Sequence, residues 1–325
     1  MSSAGSGTPT KVLSIVGAGR SGTTVLAAVL GEGPGRFDAG EVRWLWNRSL
    51  QEQRPCGCGL PLSRCPIWSR VIQGVLGVAP ADQTTSLAAA VDIVAAEREL
   101  TLRHNRLRLL RSADGRHTEW SALRLVRAVT SDLYSRLVDV TGAGVVIDSS
   151  KRPADAAVLA ALPSIDHYVL HLVRDPRAVV DSWGRAKPAL DGTTVMLPMR
   201  PAKIALRWME SNGSAELLRR QLPHDRWLFM RYEDFAAQPR TSVETILGFM
   251  NEGVATPFAN ADTVVLGGNH TVAGNPDRFR IGSVTIVSDE KWRRRMPRHR
   301  QLATAAASLP LLRRYGYPIT GVRSG

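Results

Sequence analysis

The chain has 325 residues, 44% of them hydrophobic and 22% charged, which is ordinary for a soluble globular enzyme and allows a full hydrophobic core. No uncharged apolar stretch approaches the roughly 18 residues of a transmembrane helix, so a membrane span is excluded. The formal charge of +13 would draw anionic ligands to a cleft, but with 6% aromatic residues and no recognised binding motif the partner is not predicted to be nucleic acid.

The first ten residues, Met1–Thr10, contain Ser, Gly, Thr and Pro but no apolar run. They lack the apolar core of a secretory signal, so we predict a disordered N-terminal lead followed by a single domain over residues 11–325. The same reasoning predicts a cytoplasmic protein.

A strand, a glycine-rich loop and a helix follow one another directly after this lead. Val12–Val16 is an apolar β-type run, Gly17–Thr24 is the loop, and Val25–Leu30 is an apolar helical run. Glycines allow a tight curl that points backbone N–H groups inward, and the following helix adds the partial positive charge of its N-terminus. The loop is therefore predicted to bind an oxyanion, although a plain turn before a core helix would read the same way.

Two nucleotide motifs fit this loop incompletely. Gly17, Gly19 and Gly22 match G-x-G-x-x-G, but that motif needs a second apolar strand ending in an acid about 20 residues later, and no such strand is visible before Asp38 or Glu41. The loop also matches G-x-x-x-x-G-K-[ST], except that threonine replaces the lysine that contacts the β- and γ-phosphates. This substitution argues against ordinary phosphoryl transfer from ATP.

Three cysteines, Cys56, Cys58 and Cys65, lie in the segment CGCGLPLSRCPIW, whose Gly and Pro content predicts a compact loop. Their C-x-C-x₆-C spacing differs from the usual zinc-site spacing, and no histidine lies nearby in the sequence. We therefore predict a reduced, packed cysteine cluster or a lid without metal, and a metal site is the alternative.

Residues 84–141 have apolar residues at helical spacing without an intervening strand, so a helical insertion is predicted over 80–141. We interpret it as the acceptor side of the molecule. Arginines recur at its centre, where a solvated helix face is favoured and acceptor binding is the alternative: Arg98, Arg103, Arg106, Arg108 and Arg111.

The alternation of strands and helices resumes after the insertion. Strands are predicted at Val145–Ile147, His167–Val173 and Trp227–Met230, with helices after each, including Pro201–Leu222 and Thr241–Met250. The fold class is therefore α/β, a parallel, doubly wound sheet of P-loop nucleotide-hydrolase type with a helical insertion. Ligands of such sheets bind at the carboxyl ends of the strands.

Two segments of this predicted edge resemble the donor-binding motifs of sulfotransferases that use 3′-phosphoadenosine-5′-phosphosulfate (PAPS). These are the R-S-G-T-T core of the loop and Val173–Ser182, VRDPRAVVDS. The resemblance implies that five loop residues bind the 5′-phosphate of PAPS, and of the product 3′-phosphoadenosine-5′-phosphate (PAP): Arg20, Ser21, Gly22, Thr23 and Thr24.

The same resemblance implies roles for residues further along the chain. Arg174 and Ser182 would hold the 3′-phosphate, and Tyr232 would lie against the adenine. Arg278 and Arg280, in a late basic loop, match by position and composition as further 3′-phosphate contacts. The guanidinium fork suits phosphate oxygens, which agrees with these assignments.

Two residues are implied as catalytic. Lys151 would contact the bridging oxygen of the leaving group, and Glu41 would be the base, as in the tyrosylprotein branch and some bacterial relatives. Burial beside Trp44 and Trp46 is expected to raise the pKa of Glu41 toward a useful value. The alternative for Glu41 is a salt bridge to a neighbouring arginine.

Sulfuryl transfer needs no metal by its chemistry, and the acceptor is expected to be a hydroxyl of a small molecule, glycan or lipid. Two other functions stay open on the sequence alone. One is a P-loop nucleotide kinase or triphosphatase lacking the loop lysine, and the other is a noncatalytic 3′-phosphoadenosine-binding protein.

Overall fold

The computed structural model describes residues 9–111, 113, 120–185, 187–188, 195–196, 198–253 and 255–320. Most of the predicted N-terminal lead lies outside the described residues. The strands are β1 (Thr10–Val16), β2 (Arg36–Gly40), β3 (Val145–Lys151), β4 (Ile165–Val173), β5 (Lys187–Pro188), β6 (Val195–Met196), β7 (Trp227–Arg231), β8 (Thr263–Leu266) and β9 (Gly282–Thr285).

The helices alternate with these strands and cover the sheet. They are α1 (Thr23–Gly31), α2 (Trp68–Leu76), α3 (Gln83–Thr101), α4 (Arg103–Leu110), α5 (Ser121–Thr141), α6 (Pro153–Ala160), α7 (Pro176–Trp183), α8 (Pro201–Arg219), α9 (Tyr232–Ala237), α10 (Pro239–Phe249), α11 (Trp292–Arg295), α12 (Arg298–Ala307) and α13 (Leu309–Arg314). Among the described residues, no helix is both long and apolar enough to cross a bilayer.

The central sheet has five strands in the order β2-β3-β1-β4-β7, and every pairing is parallel. This confirms the predicted doubly wound α/β fold. On β1, Leu13 and Ile15 pack into a core with residues of α1 and α10. Val12 and Val16 lie in clusters with residues of α5 and α6 instead. Both faces of β1 are therefore buried, which explains its continuous apolar sequence.

The expectation that no second strand follows the first helix is wrong, because Arg36–Gly40 forms the edge strand β2. The first residues of this strand are only partly buried, so main-chain pairing with β3 supports it more than apolar side chains do. β3 separates β2 from β1, whereas a dinucleotide-binding sheet places its second strand beside the first. The topology therefore excludes the dinucleotide interpretation.

The described part of the helical insertion consists of α3, α4 and α5, as expected, and α2 packs against α5 beside it. The predicted helix at Pro201–Leu222 ends at Arg219, within a few residues of the prediction. The hairpin of β8 and β9 was not predicted. It packs against the α1 side of the sheet.

His171 lies in β4 and is fully buried, so it is a core histidine. Its Nε2–H donates to Asn212 Oδ1 at 3.0 Å, and its ring lies among Trp227, Phe229 and Tyr315. Burial lowers the pKa of His171 to about 4. Below about pH 6.5 the imidazole of the unfolded chain is protonated, whereas in the folded protein it stays neutral down to about pH 4. The free energy of unfolding therefore decreases as the pH falls from about 6.5 to about 4.

We expect His171→Gln to weaken the acid sensitivity of the fold. Glutamine keeps a donor for Asn212 but does not titrate, so the variant should lose about 2 kcal/mol less unfolding free energy than wild type between about pH 7 and about pH 5. Urea unfolding at several pH values measures this difference. Parallel pH profiles for the two proteins would show that His171 does not contribute.

Candidate active site

The phosphate loop, residues 17–24, is fixed by close contacts with two neighbouring elements. Gly17 has φ 141°, and a Cβ there would lie 2.3 Å from the carbonyl oxygen of Leu172 in β4. Gly22 has φ 83°, and a Cβ there would lie 2.3 Å from Cδ2 of Tyr232. Both positions therefore require glycine. Helix α1 begins at Thr23, within the last two residues of the loop, so the partial positive charge of its N-terminus lies at the loop.

A cleft of about 1050 Å³ lies beyond this edge of the sheet. Basic residues outnumber acidic ones in its lining: Arg20, Arg43, Arg48, Arg54, Arg106, Lys151, Arg152, Arg174, Arg185, Arg207 and Arg280 against Glu41, Glu210, Asp277 and Asp289. Such a lining attracts a polyanion, and a cleft concentrates the field. Burial lowers the pKa of Arg20, whose guanidinium lies 4.9 Å from the ring centroid of Trp183.

Arg174 occupies the predicted place at the end of β4. It is buried, donates to the backbone carbonyls of Arg20 at 3.1 Å and Asp289 at 3.2 Å, and lies 4.6 Å from the ring centroid of Tyr232. Ser182, eight residues further along, is also buried, and it lines the same cleft as Arg174 and Tyr232. The structure therefore brings these three predicted residues together beside the phosphate loop.

The two predicted catalytic residues form an ion pair. Lys151 Nζ donates to Glu41 Oε1, and Trp44 Nε1 donates to the other carboxylate oxygen at 3.1 Å. The side chains of Lys151 and Glu41 are 16% and 14% exposed, so the pair is partly shielded from water. Lys151 has φ 69°, a left-handed conformation that costs roughly 1–2 kcal/mol in a non-glycine residue.

The expected rise in the pKa of Glu41 is wrong. Burial acts in that direction, but the charge and hydrogen bond of Lys151 act against it, so the pKa of Glu41 is lowered overall. Glu41 is therefore ionised at neutral pH. The alternative of a salt bridge to a neighbouring arginine is replaced by the pair with Lys151, although Arg43 lowers the pKa further.

Most of the remaining predicted residues line the cleft, but two do not. Gly22, Thr23, Thr24 and Arg280 do, whereas Arg278 is buried and donates to the carbonyls of Thr271 at 2.7 Å and Pro55 at 2.6 Å. Arg278 lies within the 3-10 turn Pro276–Phe279 and does not line the cleft, whereas Arg280 follows the turn directly and does. Ser21 is also fully buried, and its hydroxyl has no partner within the described residues.

Three residues support the site through contacts that sequence reasoning did not predict. Trp44 Nε1 donates a hydrogen bond to the Glu41 carboxylate, and Ser211 Oγ donates to the carbonyl of Gly17 at 2.8 Å. Asp289 forms an ion pair with Arg174, with 3.8 Å between the charged atoms. None of them stands in a recognisable motif. Only the tertiary fold places them, apart from Trp44, whose separation of three residues from Glu41 suits a helical turn.

A histidine does lie beside the cysteines, contrary to the sequence expectation. His270 Nδ1 is 3.2 Å from Cys65 Sγ and 3.9 Å from Cys56 Sγ. More than 200 residues separate the two segments, so sequence spacing could not reveal the contact. These groups lie outside the cleft lining.

Comparisons with known proteins were made on the sequence and on the fold. A family model described as "Sulfotransferase family" matches residues 13–255. A comparison with curated proteins finds no match. The sulfotransferase domain of the curacin biosynthetic pathway is similar in structure, with TM-score 0.52, 17% identity, and coverage of 95% of this chain and 98% of that chain. A Mycobacterium avium sulfotransferase has TM-score 0.49, 14% identity, and coverage of 98% and 79%. At this identity the curacin-pathway domain supports the fold alone.

We expect Lys151→Met to raise the pKa of Glu41 above the usual value of about 4.3, because burial would then act without its main compensation. Wild-type Glu41 should titrate below that value. Carbon-13 NMR of labelled glutamate carboxylates across a pH series measures both. A Glu41 resonance that titrates at the same pH in the two proteins would contradict the compensation by Lys151.

Proposed function

The chain belongs to the sulfotransferase family, and from that premise we propose that its cleft binds PAPS and passes the sulfuryl group to a hydroxyl of a small-molecule, glycan or lipid acceptor. One observation carries the proposal: Glu41 and Lys151 form an ion pair beside the phosphate loop, inside a basic cleft. A base for the acceptor and a cation for the leaving group thus lie side by side.

The residues of the cleft fit both phosphates of PAPS. The loop offers inward backbone N–H groups at the N-terminus of α1, and Arg20 is its cation. Arg174 is already oriented by two backbone carbonyls, so its guanidinium needs little further ordering to bind a 3′-phosphate. Ser182 and Arg280 line the same space, and Tyr232 supplies an aromatic surface for adenine.

PAPS supplies a sulfuryl group bonded to the 5′-phosphate through a bridging oxygen. As the acceptor oxygen forms its bond to sulfur and the bridging bond breaks, Glu41 takes the acceptor's proton. Lys151 and the loop N–H groups stabilise the negative charge that develops on the bridging oxygen. Trp44 keeps the Glu41 carboxylate in place by its hydrogen bond.

The acceptor side is supported by a second, smaller pocket of about 110 Å³. Arg43 and Trp44 line both this pocket and the cleft, so the two spaces adjoin at these residues, and Trp44 is hydrogen-bonded to Glu41. Its remaining walls come largely from α3 and α5, including Val94, Leu133 and Glu97. Burial raises the pKa of Glu97 to about 8, so this carboxyl is mostly protonated at neutral pH. A partly apolar acceptor group suits such walls.

Arg174→Ala is expected to weaken PAP binding roughly 10- to 100-fold, the value of a hydrogen-bonded charge pair. Arg231→Ala is the matched control, because Arg231 ends the neighbouring strand β7 and pairs with Asp234 outside the cleft. Quenching of tryptophan fluorescence by added PAP gives both dissociation constants. Equal affinities for Arg174→Ala and wild type would contradict the 3′-phosphate assignment.

Glu41→Gln is expected to lower the turnover of sulfuryl transfer roughly 10²- to 10⁴-fold without weakening PAP binding, because the amide cannot accept the proton. Transfer from radiolabelled PAPS to a panel of phenols, alcohols and sugars measures turnover. Glu210→Gln, another acid of the cleft lining, is the control and should stay near wild type. An active Glu41→Gln enzyme would remove Glu41 from the role of base.

A further inference from the structure

We propose that Cys56, Cys58, Cys65 and His270 form a structural Zn²⁺ site. One ligand atom from each residue lies within 4.8 Å of all the others. In a tetrahedral site with Zn–S bonds of about 2.3 Å, neighbouring sulfurs lie about 3.8 Å apart. The four groups therefore need to contract by no more than about 1 Å to surround one ion. The inference does not depend on the proposed sulfuryl transfer.

The backbone around the cysteines is shaped to present their sulfurs. Pro55 and Pro61 form an antiparallel bridge, the N–H of Cys56 donates to Leu60 O at 2.8 Å, and Gly59 turns the chain with φ 84°. This is a tight turn that carries Cys56 and Cys58 on one side. The backbone N–H of Cys58 also points at the sulfur of Cys56.

Cys65 is presented in the same way at the start of α2. The N–H groups of Ile67 and Trp68 point at its sulfur. Cys56 and Cys65 are fully buried, whereas Cys58 is exposed at the rim. The cluster is thus built into the protein and still open on one side for an ion to enter.

His270 reaches the cysteines because two distant segments approach closely. Trp68 Nε1 donates a hydrogen bond to the backbone carbonyl of His270. The N–H of Gly57 donates to the backbone carbonyl of Thr271 at 3.0 Å. A Cβ on Gly57 would lie 1.8 Å from Asn269 Oδ1 and 2.8 Å from Thr271 Oγ1, so a larger residue there would have to displace these side chains. These contacts between the two segments hold the imidazole nitrogen of His270 close to the cysteine sulfurs.

The donor set selects the metal and its role. Three thiolates and one imidazole are soft ligands that suit Zn²⁺ in tetrahedral geometry. Because four protein groups fill the coordination shell, the site has no open position for substrate, which is the pattern of structural zinc. The odd number of cysteines also leaves one unpaired in any disulfide scheme.

The ion would brace the segment that leads to the catalytic carboxylate. Two residues after His270, Val272 pairs with β2, where its N–H donates to Ala39 O and its carbonyl accepts from the N–H of Glu41 at 2.8 Å. The buried Arg278 ties the same segment to Pro55 beside the first cysteine. Zinc would therefore stabilise the backbone that positions Glu41, from outside the cleft.

Metal content of the untagged full chain, purified under reducing conditions without chelator, tests the proposal. We expect about one zinc per chain, and at least a tenfold lower content in Cys58→Ser and in His270→Ala. Cys58 is exposed, so its serine variant is the one least disturbed in packing. His299→Ala, at an exposed histidine far along the chain, is the control and should keep its zinc. Wild type with only trace metal, or Cys58→Ser with full zinc, would overturn the site.

Cobalt binding keeps the test decisive if a variant fails to fold. The wild-type chain, stripped of metal by a chelator, should bind one Co²⁺ with the thiolate charge-transfer and visible bands of tetrahedral cobalt, and Zn²⁺ should displace it. Adding Zn²⁺ to the stripped chain should raise its melting temperature by several degrees, because the ion binds the folded state. The proposal would be overturned if the three thiols stay reactive to a thiol reagent in the presence of Zn²⁺ and the cobalt bands do not appear.

Discussion

The backbone hydrogen bond from the Gly17 N–H to the Lys151 carbonyl, 3.0 Å long, joins the two parts of the active site. It connects the start of the phosphate loop to the end of β3, at the point where the paired ladder of β1 and β3 becomes irregular. Gly17 has no room for a side chain against the carbonyl oxygen of Leu172, so the start of the loop requires glycine. Lys151, in its left-handed conformation, then directs its ammonium to Glu41 rather than along the strand.

The Glu41–Lys151 pair shows how a basic cleft can keep one ionised carboxylate. Burial alone would raise the pKa of Glu41, and the charge and hydrogen bond of Lys151 lower it. Pairing offsets part of the desolvation cost of each, and removing one partner leaves the other uncompensated. The proposed reaction uses both members of the pair at once, so the interaction that stabilises the site in the free protein also sets its chemistry.

What could be read from the sequence follows from where each feature lies in the fold. Strands buried on both faces, such as β1 and β4, consist mostly of apolar residues, and the sequence predicts them. The edge strand β2 has partly exposed side chains and depends on pairing with β3, so its sequence carried little signal. Arg278 and Arg280 look equivalent in sequence, but Arg278 lies buried within the turn Pro276–Phe279, whereas Arg280 follows that turn and lines the cleft. His270 joins the cysteines through tertiary structure alone.

Calorimetric titration of the wild-type protein tests the central claim, that the strand ends form a site for an adenosine carrying both 3′- and 5′-phosphates. The ligands are adenosine 3′,5′-bisphosphate, adenosine 5′-phosphate and ATP with Mg²⁺. The account predicts that the bisphosphate binds at least ~10-fold more tightly than the monophosphate, since the added 3′-phosphate meets Arg174. Equal affinity for the two, or tightest binding of ATP with Mg²⁺, would contradict it.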